Sequence, residues 1–325
     1  MWRGATCVHI WPFDDSRNRQ IKDMGNRGYI FRGTVMVALL CCATAAFARL
    51  PHKRMGLQFY SIRDTLGTSA QYQKNHDAIF RQLKEWGFTF VEAGDGSGYG
   101  LTPEEFRSDL KRYGLESIGG HLVRVLTDEE LASGDFTAAL DWWQQRIDTH
   151  RRAGCRYLIM SWAPVPKNIK DADVWCQYLN AIGQLCHKGG LGFGYHTHFQ
   201  EYQKVDDHVW VDYMMRHVKP ENMFWQMDVY WCVYAQESPV YWFRRFPGRF
   251  HVLHIKDKHE IGYSGMLGFD AIFRNADVCG LQEIILEIEN TDGTISSMEA
   301  VRRSAEYIRR ADFVKKSYGG YNYIK

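Results

Sequence analysis

Along residues 55 to 311 one hydrophobic-polar pattern recurs: an amphipathic segment, a basic or aromatic residue, a glycine, then a short apolar run. It stands as KEWGFTFVE, KRYGLESIGGH, RRAGCRYLIM, HKGGLGFGYHTH and DVCGLQEIILEIE. A glycine just past a helix end supplies the left-handed cap, and the residues after it are the β-branched and aromatic types of a strand. Each repeat is therefore a helix-to-strand join. Filling the gaps predicts strands near 55–60, 88–92, 116–121, 156–160, 191–196, 223–228, 250–255 and 283–288, each followed by a helical pattern. Helix starts are legible too: in LTPEEF, Thr102 caps, Pro103 suits the first turn and Glu105 completes a capping box. Eight strand-helix units in about 270 residues predict an α/β fold, a (β/α)8 TIM barrel forming a single domain over 49–325. No glycine-rich phosphate fingerprint opens a helix, which counts against a dinucleotide fold.

Residues 1–48 break the pattern. Arg27 and Arg32 precede the apolar run TVMVALLCCATAA, Thr34 to Ala46, and Ala46-Phe47-Ala48 has the form of an A-x-A cleavage site. The run is shorter than the roughly 20 residues that span a bilayer. The expectation is a signal peptide preceded by an N-terminal extension, with Met24 as an alternative start. Cleavage after Ala48 is favoured over lipid anchoring, because neither Cys41 nor Cys42 follows the small residues of a lipoprotein signal. Export, periplasmic or secreted, is the expected fate.

Composition adds bounds. At 325 residues and 45% hydrophobic, the chain can bury a sizeable core. Its 40 basic and 38 acidic residues nearly cancel, and no dense Lys/Arg block would track a phosphate backbone, so nucleic acid is not an expected partner. Past the signal peptide stand Cys155, Cys176, Cys186, Cys232 and Cys279, without close pair spacing. They read as buried thiols rather than a disulfide framework.

A barrel carries its function at the C-terminal ends of the strands. Those ends hold Glu92, His121, Trp162, His196 with His198, Asp228, His254 with Lys256, and Glu287 with Glu289. Residues two apart on a strand share a face, so each of the pairs His196/His198 and Glu287/Glu289 points inward. A single histidine at a strand end is usually a satisfied polar group, and Glu92 could cap the next helix. The set His196, Asp228, His254 and Glu287 is harder to explain that way, since each of the last four strands delivers a ligand type at the same depth. Imidazole with carboxylate suits one divalent ion, Mn, Zn, Co or Fe. Such an ion would grip a ketone oxygen and a neighbouring hydroxyl and stabilise an enediolate. Tyr60, Trp162 and Trp231 lie where rings could pack on sugar C–H surfaces, although core packing explains each nearly as well.

With these residues in hand, the sequence resembles the xylose-isomerase-like TIM-barrel family of sugar phosphate isomerases/epimerases, which includes inosose-dehydratase-like and 3-keto-sugar epimerase members. The segments that carry the resemblance are MGLQFYSIRDTL, GFTFVEAG, LGFGYHTHFQEY, WQMDVYW, GRFHVLHIKD and EIILEIEN, the third and fifth being the most specific. The family holds a divalent ion with a Glu, Asp, His, Glu set. The last three fall here on Asp228, His254 and Glu287, and His196 departs from the first. The resemblance implies a metal-dependent enzyme acting on a keto sugar, glycoside or cyclitol. Losing one of two paired glutamates speaks against simple two-base epimerisation, and the His-x-His of the dehydratase-like branch favours elimination or hydration. Glu287, Lys256, His198 and Glu201 are then the groups for proton transfer, and Tyr60, Glu92, His121, Trp162, Trp231 and Glu289 the substrate contacts. Apurinic-site endonucleases on the same barrel use an Asp-x-x-His pair at the sixth strand, where DVYW has Trp231, so a one-ion site is expected. Two alternatives stand: a two-base sugar epimerase/isomerase, and an exported, catalytically inactive sugar-binding subunit. The expected partner is a small sugar without a phosphate; self-association is compatible with the sequence, and no membrane span is expected.

Overall fold

The computed structural model describes residues 50–94 and 98–319; the expected signal peptide lies outside the described residues. Eight parallel strands close a barrel: β1 (Gly56–Gln58), β2 (Phe90–Ala93), β3 (Glu116–Leu122), β4 (Tyr157–Met160), β5 (Gly192–Thr197), β6 (Phe224–Asp228), β7 (Val252–Lys256) and β8 (Glu283–Glu287). Closure comes from β8 pairing with β1, Gly56 opposite Ile285 and Leu57 opposite Leu286. Eight principal helices alternate with the strands: α1 (Ser69–Glu85), α2 (Pro103–Arg112), α3 (Thr137–Ala153), α4 (Ile169–Lys188), α5 (Trp210–His217), α6 (Pro239–Arg245), α7 (Phe269–Arg274) and α8 (Ser297–Arg310). The strands fall within a residue or two of the positions read from the sequence. The reason is visible at the five joins: Gly87, Gly114, Gly154, Gly190 and Gly280 all have positive φ, between 68° and 95°, a conformation costly for any residue with a Cβ. Thr102 and Glu105 form the expected reciprocal capping box at the start of α2.

Two apolar regions hold the structure. The larger lies between the strands and the helices and includes Trp143, Trp225, Phe80 and Leu179. The smaller fills the lower barrel: Phe90, Ile118, Tyr157, Ile159, Phe224, Val252 and Ile285. Its aromatic rings need space that glycines on neighbouring strands provide. A Cβ on Gly56 would fall 2.0 Å from the Phe90 ring, and one on Gly119 2.0 Å from the Tyr157 ring. This layer is a packed floor. Two residues past Phe90, Phe224, Val252 and Ile285 stand the polar Glu92, Gln226, His254 and Glu287. Among the described residues no helix is long and apolar enough to cross a membrane, and Cys155, Cys176, Cys186, Cys232 and Cys279 are buried thiols.

Candidate active site

The polar layer above the floor is built by strand parity. On β6, Phe224 belongs to the floor, Gln226 to the layer above and Asp228 to the rim; on β7 the series is Val252, His254, Lys256, and on β8 Ile285 and Glu287, with Glu289 just past the strand. Glu92 on β2 is wholly buried and gathers donors from across the barrel. Its Oε2 accepts from Gln58 Nε2 at 3.0 Å and His254 Nε2 at 2.8 Å, with His121 Nε2 at 2.9 Å, and its Oε1 accepts from Gln226 Nε2 at 2.9 Å. Burial alone would raise its pKa, but the His121 and His254 imidazoles overcome that and hold it well below the usual carboxylate range. Gln226 Oε1 in turn lies 2.7 Å from His121 Nε2 and 3.0 Å from His196 Nδ1.

Higher up, one atom from each of His196, Asp228, His254 and Glu287 lies within 4.8 Å of the others, and all four residues are buried. Asp228 owes its orientation to local structure: as N-cap of the turn Val229–Tyr234, its Oδ1 accepts the backbone N–H of Tyr230 at 2.9 Å and of Trp231 at 3.1 Å. Its Oδ2 is buried with no hydrogen-bond partner among the described residues. Burial raises the Asp228 pKa, against the pull of nearby Lys256. His254 Nδ1 lies 2.8 Å from Glu287 Oε2. Burial would lower the His254 pKa, yet Glu287 and Glu92, one at each ring nitrogen, carry it up to about 10. His196 is pushed well below its ordinary value by burial and by the neighbouring imidazoles, so it is neutral and keeps a lone pair. An orphaned buried carboxylate oxygen, a second carboxylate and imidazole nitrogens within one small radius fit a borderline divalent cation.

Around the cluster a cavity of ≈590 Å³ opens to solvent. His196, His198, Glu287, Glu289 and His121 line it from below, and Tyr60, Trp162 and Trp231 from its rim. Tyr60 and Trp162 are 50% and 43% exposed, which leaves their rings free to pack on a ligand. The His198 ring stands 4.7 Å from that of His196, and burial lowers its pKa to about 4. Lys256 is buried, with Nζ 2.6 Å from Glu289 Oε2 and 5.5 Å from the Trp231 ring centre. Burial would lower its pKa, but Glu287 and Asp228 outweigh that and raise it, so it stays an ammonium. Of the expected catalytic and substrate residues, Lys256, Glu92 and Glu201 do not line the cavity. Glu92 lies beneath the cavity inside its own network. Glu201 is fully buried, accepting from the Tyr195 hydroxyl at 2.9 Å and the His198 backbone N–H at 2.7 Å, and burial raises its pKa to about 7. Gln58 and Gln226 escaped the sequence reading, although Gln226 stands two residues before Asp228 on the same strand and so shares its face.

The profile of the xylose isomerase-like TIM barrel matches residues 80–311. The chain belongs to that family. A sugar phosphate isomerase/epimerase from Parabacteroides distasonis superimposes with a TM-score of 0.73 at 28% identity, over 82% of this chain and 97% of that one. Two less similar structures share the fold: the IolI protein with a bound zinc atom (TM-score 0.62, 12% identity, 82% and 99% covered) and the probable 3-DHS dehydratase AsbF of Bacillus anthracis (TM-score 0.59, 13% identity, 80% and 100% covered). No functionally curated protein matches the chain by sequence. Its structural neighbours include a sugar phosphate isomerase/epimerase, an L-ribulose 3-epimerase and a probable dehydratase.

Proposed function

We propose that this family member is an exported, divalent-metal-dependent enzyme that acts on a keto sugar, glycoside or cyclitol, favouring elimination or hydration. His196, Asp228, His254 and Glu287 would hold one Mn, Zn, Co or Fe ion. The observation that carries this reading is the convergence of their four donor atoms within 4.8 Å, one from each of β5 to β8, with Asp228 Oδ2 buried and unpartnered. When bound, the ion supplies Lewis-acid polarisation of a carbonyl and an adjacent hydroxyl oxygen.

The chain supplies the proton chemistry. His198 is neutral and faces the cavity, which suits a base that takes the proton from the carbon next to the carbonyl. Lys256, kept cationic by the carboxylates around it, suits the acid that delivers a proton to the departing oxygen. The C–H and C–O bonds break, a C=C bond forms beside the ketone, and the leaving group departs as water or an alcohol. Glu289 holds Lys256 Nζ, and Glu201 is a positioning residue that fixes His198 through its backbone N–H. Tyr60, Trp162 and Trp231 would pack on sugar C–H faces, with His121 and Glu289 at hydroxyls. The cavity's Arg63 gives its guanidinium to the carbonyls of Tyr60 and Glu289 and lies 4.0 Å over the Tyr60 ring, which favours a substrate without phosphate.

A second reading, two-base epimerisation by Glu287 with Lys256 or His198, is favoured by the placement of Glu287 on the cavity wall. Proton NMR in D2O over a panel of 3-keto glycosides, inososes and ketohexoses separates them. Elimination releases the leaving group and shows an enone; epimerisation shows deuterium at one carbon with all oxygens retained. Neither change with any substrate, in metal-loaded protein, would favour a sugar-binding subunit without turnover.

A further inference from the structure

We infer that Glu92, seated on β2 beneath the cavity, sets the tautomers of both imidazoles in the cluster, directly at His254 and through Gln226 at His196. The inference rests on the proposed metal site and adds a positioning network to it. A carboxylate only accepts, and the four side-chain contacts of Glu92 are all to nitrogen: Gln58 Nε2, Gln226 Nε2, His121 Nε2 and His254 Nε2, at 2.8 to 3.0 Å. The amide of Gln226 therefore has one orientation, with its NH2 on Glu92 Oε1 and its carbonyl oxygen turned to the histidines.

The amide held this way fixes His196, and with a cation in place His254 also has one tautomer. Gln226 Oε1 has no hydrogen, so His196 Nδ1, 3.0 Å away, must donate. The lone pair of His196 is then on Nε2. At His254 both ring nitrogens face carboxylates, 2.8 Å away in each case, but the two carboxylates differ. Glu287 borders the cavity and belongs to the ligand cluster, so a cation gives it another partner. Glu92 is wholly buried and committed to nitrogen donors, so His254 Nε2 keeps its hydrogen and Nδ1 offers the lone pair. Such partners outside the ligand set fix ring orientation and raise ligand basicity.

The test reads tautomers rather than turnover. Two-bond 1H–15N spectra of histidine-labelled protein loaded with zinc are expected to show His196 protonated at Nδ1 and His254 at Nε2. Assignments come from His196→Gln and His254→Gln. In Gln226→Met, which keeps the volume and removes the acceptor, the zinc Kd rises about 10- to 100-fold. The reverse tautomer at either histidine, or an unchanged Kd in a folded Gln226→Met, overturns the inference. If that variant fails to fold, the wild-type spectra decide alone. If zinc does not bind the wild-type chain, the proposed function fails instead, and the spectra of the ion-free protein still decide the network by the His196 tautomer.

Discussion

The two ends of the barrel interior are made by the same strands and differ by a step of two residues. Phe90, Phe224, Val252 and Ile285 form a dry floor; Glu92, Gln226, His254 and Glu287 form the polar layer resting on it. Below, each position contributes by filling volume, and the strands tolerate rings because glycines stand beside them. Above, each position contributes by what it donates or accepts, and burial makes every unmatched atom costly. The floor excludes water from beneath and holds the polar layer at fixed depth. Stability and chemistry are therefore stacked along one axis, and substitutions at the two levels should fail in different ways.

The largest effect belongs to the rim. His198→Ala and Lys256→Met each lower kcat about 10²- to 10⁴-fold in a steady-state assay on the substrate found by NMR, with ion content unchanged. Next, Phe90→Ala on the floor costs about 3–5 kcal/mol in urea unfolding, while its ion content at low temperature stays that of the wild type. Glu92→Leu, two residues on, strands the donors of Gln58, Gln226, His121 and His254; it destabilises by about as much and also weakens ion binding. If both variants behaved alike toward the ion, the division between the layers would collapse. Gly194→Ala places a Cβ 2.6 Å from the Phe224 ring and 2.7 Å from Ile159, and costs about 1–3 kcal/mol by thermal unfolding.

The last effect is a slope with pH, small over any one unit. Burial raises the folded-state pKa of Glu201 to about 7, above its ordinary value of 4.5. Between those values the unfolded chain has lost the proton that the folded one keeps, so this group's contribution to stability falls as pH rises, by about 1 kcal/mol per pH unit, and levels off above 7. Urea midpoints measured from pH 4.5 to 8 should decline less steeply in Glu201→Gln than in the wild type.

Much of the fold was legible in the chain because local signals were strong. Glycines with positive φ ended helices at fixed distance from each strand, and the strand ends brought His196, Asp228, His254 and Glu287 to the same end of the barrel. Depth for the remaining residues was not legible. Glu92 reads as a mouth residue because it ends a strand, yet the pairing of β2 with β3 shifts register between Val91 and Glu92, and the carboxylate meets donors from distant strands below the cavity. Glu201 reads as an acid or base three residues past His198, but the chain turns there through a short 3-10 segment, Gln200–Tyr202, and buries it. Gln58 and Gln226 carry no chemistry by residue type. Their role comes from partners 34 and 134 residues away, a relation that no local pattern encodes.

The proposed function depends on one divalent ion held at the ends of β5 to β8. Elemental analysis of the purified protein after mild dialysis, beside His196→Ala and Asp228→Ala, is the decisive experiment. The expected result is about one Mn, Zn, Co or Fe per wild-type chain and loss of it in both variants. A wild-type chain without a bound divalent metal, showing no thermal shift on adding one, or variants that retain it, would contradict the claim.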